Sequence, residues 1–240
     1  MSAIRVLQIN KLYHPWIGGV EKTVQDIAES LQGKVDMEVL VCQPKGCGRM
    51  EIINGVKVTK ATSFGICWGM PISLTFPFLL AWKSRKVDIL HFHLPFPLGV
   101  LSYLLMGSRR PKVVVSYHSD IVRQKKLMKF YRPFLYRFLK RADKILATSP
   151  NLAESSPYLS SFKDKCVVAP SSIDLSKFSH PVEKAFDLGV SPGEKIVLFV
   201  GRLNYYKGLE YLIEAMQEVE AKLLIVGEGE LRGELEEKAR

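Results

Sequence analysis

Long apolar runs are missing from this chain: no stretch approaches the roughly 20 residues that a helix needs to cross a bilayer, which argues against a spanning segment. A basic leader with a cleavage site is missing as well. The chain opens directly on a strand-like run, Ile4 to Ile9, and a cytosolic protein is expected. Cysteines are few. Cys42, Cys47, Cys67 and Cys166 show neither CxxC spacing nor a histidine-paired pattern, so no zinc or other metal site and no disulfide framework is indicated. Reduced thiols in packing or loops are expected. A GxGxxG fingerprint is absent from the turn after the first strand.

Acidic residues are scarce in one long segment. Arg123 to Lys144 carries nine Lys or Arg against the single acid Asp143. Residues 186–240 hold 11 acids and 7 bases, net −4, so the whole-chain charge of +10 leaves +14 on residues 1–185. Leu127, Met128, Phe130, Tyr131, Phe134, Leu135, Tyr136, Phe138 and Leu139 are interleaved with the cations at spacings that predict an amphipathic helix. Such a helix, 123–141, suits an anionic membrane surface, each cation contributing on the order of 1 kcal/mol. It equally suits a helix packed on a sheet behind a solvated basic rim. Nucleic-acid binding fits poorly, because the cations cluster on one helix with no recognisable nucleic-acid motif.

Short β-branched runs alternate with helical patterns, the rhythm of βαβ units and a mainly parallel sheet. Strands are predicted at 4–10, 37–43, 55–61, 87–93, 112–117, 143–148 and 165–169, and helices at 19–32, 72–84, 97–106, 124–141 and 151–159. Together they make a doubly wound, Rossmann-like α/β domain over residues 1–185. A second such domain starts within 186–240, with strands at 195–201 and 221–227 and helices at 208–219 and from Glu230. Two strands and little more than one helix do not bury both faces of a parallel sheet, so this second domain reads as incomplete: a fragment, or one half of a split enzyme.

Ligands of open parallel sheets bind beyond the carboxyl ends of the strands. There the chain offers Val200-Gly201-Arg202-Leu203-Asn204-Tyr205-Tyr206-Lys207-Gly208, a strand running through a glycine turn to a helix, with two cations suited to a diphosphate. After the first strand, Gly18 and Gly19 open a helix where backbone can approach an oxyanion. Tyr13 and Trp16 on the same loop read either as an apolar platform for an acceptor or as packing. His91 and His93 are expected on opposite faces of their strand, His91 in the core and His93, nearer the carboxyl end, at the edge of the cleft. His118, closing the strand 112–117 and followed by Ser119 and Asp120, is expected at the crevice mouth, with Asp120 placed to orient it or to contact an acceptor.

The ordered set GGVE (18–21), DILHFH (88–93), SYHSD (116–120), RADKILATSP (141–150), VVAPSSID (167–174) with Phe178, and VGRLNYYKG (200–208) resembles the nucleotide-sugar glycosyltransferases of family 4, which have the GT-B fold. YHSDIVRQKK further resembles bacterial enzymes that build O-antigen or capsule on a lipid carrier. The resemblance implies retaining, metal-independent transfer of a hexose, mannose or glucose, from a UDP- or GDP-activated donor, without a cofactor. By the same resemblance Arg202 and Lys207 bind the donor diphosphate and steady the leaving group, Gly19 offers its N–H to the distal phosphate, and His118 contacts the donor sugar. It also implies a lipid-linked glycan acceptor and a peripheral position on the inner face of the cytoplasmic membrane. Two departures stand out. Ser171 and Ser172 replace the family's Asn-Gly before Ile173-Asp174, and the paired glutamates that hold the donor ribose and sugar would lie past Arg240. A truncated, non-catalytic half that docks to membrane or partner is the alternative reading.

Overall fold

The computed structural model describes residues 3–121, 125–171, 175, 179, 189–191 and 193–239. Two compact units divide the chain, Met1–Ile173 and Asp174–Arg240. The boundary expected at residue 185, the motif residues Ser172, Ile173, Asp174 and Phe178, and Arg123 and Gln124 of the basic segment lie outside the described residues.

The first unit is α/β. Its strands are β1 (Arg5–Ile9), β2 (Asp36–Cys42), β3 (Arg49–Ile53), β4 (Val56–Ala61), a small hairpin of β5 (Gly65–Cys67) and β6 (Met70–Ile72), then β7 (Ile89–Leu94), β8 (Lys112–Tyr117), β9 (Lys144–Ala147) and β10 (Cys166–Val168). Eight of them form one sheet in the order β10-β9-β8-β7-β1-β2-β4-β3. Every pairing in it is parallel except β3 with β4. The helices are α1 (Gly19–Ser30), α2 (Phe76–Ser84), α3 (Pro97–Met106), α4 (Lys125–Arg141) and α5 (Pro150–Ser155).

Period-two alternation sorts the core into two faces. Leu7, Leu40, Leu90, Phe92, Val113 and Val115 pack against α2, α3 and α4. Val6, Val39, Val41 and Val58 pack against Val24 and Ala28 of α1. Helix α4 satisfies the packing reading with Met128, Leu135, Phe138 and Leu139 buried in the first cluster. Its outer side still exposes Leu127, Phe130, Phe134 and Tyr136 among the exposed cations Lys126, Lys129, Arg132, Arg137 and Lys140. All four cysteines are free thiols. No helix among the described residues is long and apolar enough to cross a membrane.

The strands β3, β5 and β6 and several helix ends differ from the sequence reading. The strand β3 was not expected, because only Ile52 and Ile53 are strongly β-prone there. It pairs with β4 through a two-residue Asn54-Gly55 turn with φ of 48° and 82° at those residues. The helix expected from residue 72 starts at Phe76, after the hairpin, where the Ser73 hydroxyl accepts from the Phe76 amide at 3.1 Å. Helix α5 stops at Ser155 instead of running to 159, since Pro157 disfavours helical backbone before it, and a 3₁₀ segment Ser160–Lys165 follows.

The second unit holds β11 (Ile196–Val200) paired in parallel with β12 (Lys222–Val226), with α6 (Leu209–Ala215) between the two strands in sequence and α7 (Arg232–Lys238) after β12. Helix α6 gives way to a 3₁₀ turn at Met216–Glu218, earlier than the expected end at 219. Its small core gathers Leu203, Leu209, Ile213 and Leu235. Ile196, Leu198 and Val200 stay exposed, so one face of the two-stranded sheet has no cover among the described residues.

Candidate active site

In the first unit the carboxyl ends of β1, β7 and β8 converge, and a polar seam crosses them on the α1 side of the sheet. Gln8, His91, His93 and Ser116 are all buried there. His91 and His93 lie on the same face, their ring centroids 4.4 Å apart. The expectation of opposite faces is thus corrected, because alternation makes residues two apart co-facial. His91 Nε2 meets Ser116 Oγ at 2.8 Å, which satisfies it inside the core as expected. His93 Nε2 lies 2.8 Å from Gln8 Oε1, and His93 Nδ1 lies 3.1 Å from His118 Nε2.

The protons on this chain of rings follow from its ends. The Gln8 amide nitrogen faces Met37 Sδ at 3.5 Å, and a thioether only accepts, so Oε1 is the end that accepts from His93 Nε2–H. Burial, reinforced by the neighbouring rings, pushes His93 well below the usual histidine value, so the ring is neutral and its Nδ1 is a lone pair. His118 therefore donates from Nε2. Burial lowers its own pKa to about 4, which leaves a neutral ring with Nδ1 free to accept a hydrogen bond from a hydroxyl. The backbone amide of His118 donates to Leu94 O at 3.1 Å, so the ring is anchored at both ends.

Asp120 does not orient His118. Its Oδ1 accepts from Tyr117 Oη at 2.7 Å and Ser156 Oγ at 2.8 Å, pinning the loop after β8 to the segment after α5. Tyr13 is buried among Val6, Val24 and Val39, which gives its ring to packing. Trp16 is exposed on the same loop. That loop is held from below by Lys60, a buried cation on β4 that donates to His14 O at 2.8 Å and pairs with Glu51.

The glycines at the head of α1 differ from one another. A Cβ on Gly18 would fall 2.1 Å from Oε2 of Glu21, a side chain 5% exposed that folds back under the turn. A Cβ on Gly19 would meet nothing within 4 Å, and its φ is not left-handed. The fold therefore does not require glycine at 19. Its bareness leaves the first N–H groups of a 12-residue helix open to an anion.

In the second unit, Gly201 to Asn204 link β11 to a 3₁₀ turn, Tyr205–Lys207, and Gly208 caps α6 at φ 64°. Arg202 and Lys207 are both exposed and make no ion pair among the described residues. The loop after β12 holds this turn backbone to backbone. A Cβ on Gly227, at φ 157°, would fall 1.8 Å from Gly201 O, and one on Gly229 would fall 2.3 Å from Leu203 O. Leu203 N donates to Glu228 O at 2.9 Å. Gln8, Lys60, Gly227 and Gly229 were absent from the sequence-based candidates, and His93, expected at the cleft edge, is instead buried beneath His118. The His-x-His period and the Gly-Glu-Gly run at 227–229 were the signals available for them.

A parallel sheet with glycine turns at its strand ends, followed along the chain by a second α/β unit with cations on a strand-turn-helix, fits a GT-B-type α/β fold. The chain belongs to Glycosyltransferase Family 4, matched over residues 17–177, and residues 183–240 match Glycosyl transferases group 1. It is 34% identical to the O-antigen chain mannosyltransferase C of Escherichia coli over 99% of this chain and 64% of that one. It is 32% identical to the D-rhamnosyltransferase WbpZ of Pseudomonas aeruginosa over 97% of this chain and 61% of that one. The chain thus spans a little over three fifths of each relative's length. Among solved structures, the sucrose-phosphate synthase of Thermosynechococcus elongatus superposes with a TM-score of 0.68 at 19% identity, covering 93% of this chain and 62% of that one. Anabaena HepE in complex with UDP and glucose gives 0.66 at 16% identity, covering 98% and 65%.

Proposed function

We propose that the protein of which this chain forms part is a retaining, metal-independent glycosyltransferase that moves a hexose from a UDP- or GDP-sugar to a lipid-linked glycan in O-antigen, lipopolysaccharide or capsule synthesis. The observation that carries this reading is the open Gly19 turn on the same sheet edge as a neutral, ring-anchored His118. A departing nucleoside diphosphate needs preorganised donors and charge; the first unit offers the α1 amides as donors, and the second unit, taken by itself, offers the exposed cations Arg202 and Lys207. The neutral His118 Nδ1 accepts from a donor-sugar hydroxyl. Mannosyl and rhamnosyl transfer, named for the relatives, favours a hexose or deoxyhexose bound for O-antigen. The exposed aromatic and basic side of α4 supports a peripheral position on the inner face of the cytoplasmic membrane.

The test is hexose transfer from GDP-mannose and UDP-glucose to a bacterial lipid extract, run with EDTA, with the product anomer read by NMR. Transfer with retention is expected, and Arg202→Ala or Lys207→Ala lowers turnover roughly 10²-fold or more. Wild-type rates in either variant overturn the diphosphate role. The exposed aromatic and basic side of α4 favours a second reading, a membrane- or partner-docking module without turnover. Calorimetry separates the two, since such a module shows no preference between UDP and GDP.

A further inference from the structure

A cavity of about 340 Å³ opens between the end of α3, the start of β8 and the last turn of α4. It lies at the amino-terminal edge of the sheet, whereas His118 follows the carboxyl end of β8. The six residues of that strand separate the two by roughly 20 Å. Its walls include Tyr103, Arg109, Arg110, Lys112, Arg141 and Asp143, four cations around one carboxylate.

The carboxylate does not balance them. Asp143 accepts from the Val113 amide at 2.8 Å and from Lys112 Nζ at 3.0 Å, so it is committed to β8 and to one ammonium. Arg109, Arg110 and Arg141 make no ion pair among the described residues. Tyr103, Arg109 and Arg141 line the same cavity; burial raises the Tyr103 phenol, and the two guanidiniums counter that shift while Asp143 adds to it. Arg110 also feels the Asp88 carboxylate, itself bonded to Arg5, which leaves Arg109 and Arg141 as the cations without a carboxylate among the described residues; an anion between the guanidiniums relieves their mutual repulsion, and their planar donor forks match the oxygens of a phosphate.

We propose that this cavity is a phosphate-binding site, separate from the donor site. Phosphate reaches it either as a free ion or soluble phosphoester, or as the headgroup of an anionic lipid. The exposed Leu105 and Met106 immediately before the cavity, on the helix layer that also bears α4, make the lipid route stereochemically open.

The whole 240-residue chain, with its arginine side chains labelled with ¹⁵N, is titrated first with inorganic phosphate and then mixed with vesicles of three parts phosphatidylcholine to one of phosphatidylglycerol. The Nε–Hε signals of Arg109 and Arg141 report on this cavity alone, unaffected by anions at Arg202 and Lys207. Saturable shifts with inorganic phosphate, weakened more than about tenfold by Arg109→Gln with Arg141→Gln, identify a soluble ligand. No shift with phosphate, but roughly 30-fold weaker vesicle binding in that double variant, identifies a headgroup. The matched-charge control is Lys34→Gln with Lys45→Gln. Arg109→Gln alone, in the exposed turn, serves if the change at α4 disturbs folding. Absence of both effects, or an equal loss of vesicle binding in the control, overturns the proposal.

Discussion

Gly19 separates a functional glycine from a structural one. Alanine there meets open space and sits at the first position of a helix, where it is favoured over glycine by up to about 1 kcal/mol. Gly19→Ala is therefore expected to melt no lower than the wild type while binding donor nucleotide at least roughly tenfold more weakly, because the methyl group stands where an oxyanion approaches the amides. Calorimetry and thermal unfolding on the same preparation read both numbers, and a loss of stability with unchanged affinity would reverse the assignment. His93 is the positioning residue for His118. In His93→Phe the His118 Nε2–H loses its acceptor, and the ring no longer has its tautomer fixed. Turnover should fall by up to roughly 10²-fold with donor KM little changed, and the His118 ¹⁵N shifts should move from a pure Nε2–H form to a mixture. A purely packing role for His93 would leave those shifts alone.

At the scale of elements, the loop after β12 governs the turn that presents Arg202. Gly227→Ala places a methyl group against the Gly201 carbonyl, backbone against backbone, at a φ that side chains avoid. A destabilisation of about 3 kcal/mol or more is expected, with faster amide exchange at Gly201 to Leu203 and little change in the first unit. The strands that bury both faces were legible from composition alone, since runs such as Ile89–Leu94 and Lys112–Tyr117 carry the β-branched and apolar signal of a parallel sheet. The edge strand β3 was hidden because its Arg49, Met50 and Glu51 face solvent or pair with charge, although Asn54-Gly55 announced its turn. Candidate residues at strand ends were legible for the same topological reason that ligands bind there. Tyr13 was not, because a loop sequence does not reveal which aromatic ring is folded inward. The partners of His118 were not either, since Gln8 lies 85 residues from His93.

At the scale of the molecule, the polar seam beneath the crevice makes stability depend on pH. Burial holds His91 and His118 near pKa 4 and pushes His93 well below the usual histidine value, against about 6.5 in an unfolded chain. Between those values the unfolded chain binds protons that the native one refuses. The stabilisation is complete above pH 6.5 and drains away as pH falls toward 4, each histidine losing about 1 kcal/mol between pH 6.5 and 5.5. Carboxylates do not confuse this window. Asp88, held by its hydrogen bonds to Arg5 at about 2, and Glu51, lowered chiefly by its bond to Lys60, contribute stability that is fully present above the ordinary carboxylate values and is lost as pH falls from about 4 toward their lowered ones, beneath the pH 7 to 5 range in which the histidines act. Urea midpoints at pH 7, 6 and 5 should therefore fall steadily, with a slope about one third shallower in His91→Gln. The same neutrality predicts that turnover shows no histidine inflection near pH 6.5, because His118 works as a neutral acceptor throughout. A flat stability profile together with an activity step at pH 6.5 would mean that the rings are charged and solvated, and the proton order from Gln8 to His118 would fall with them.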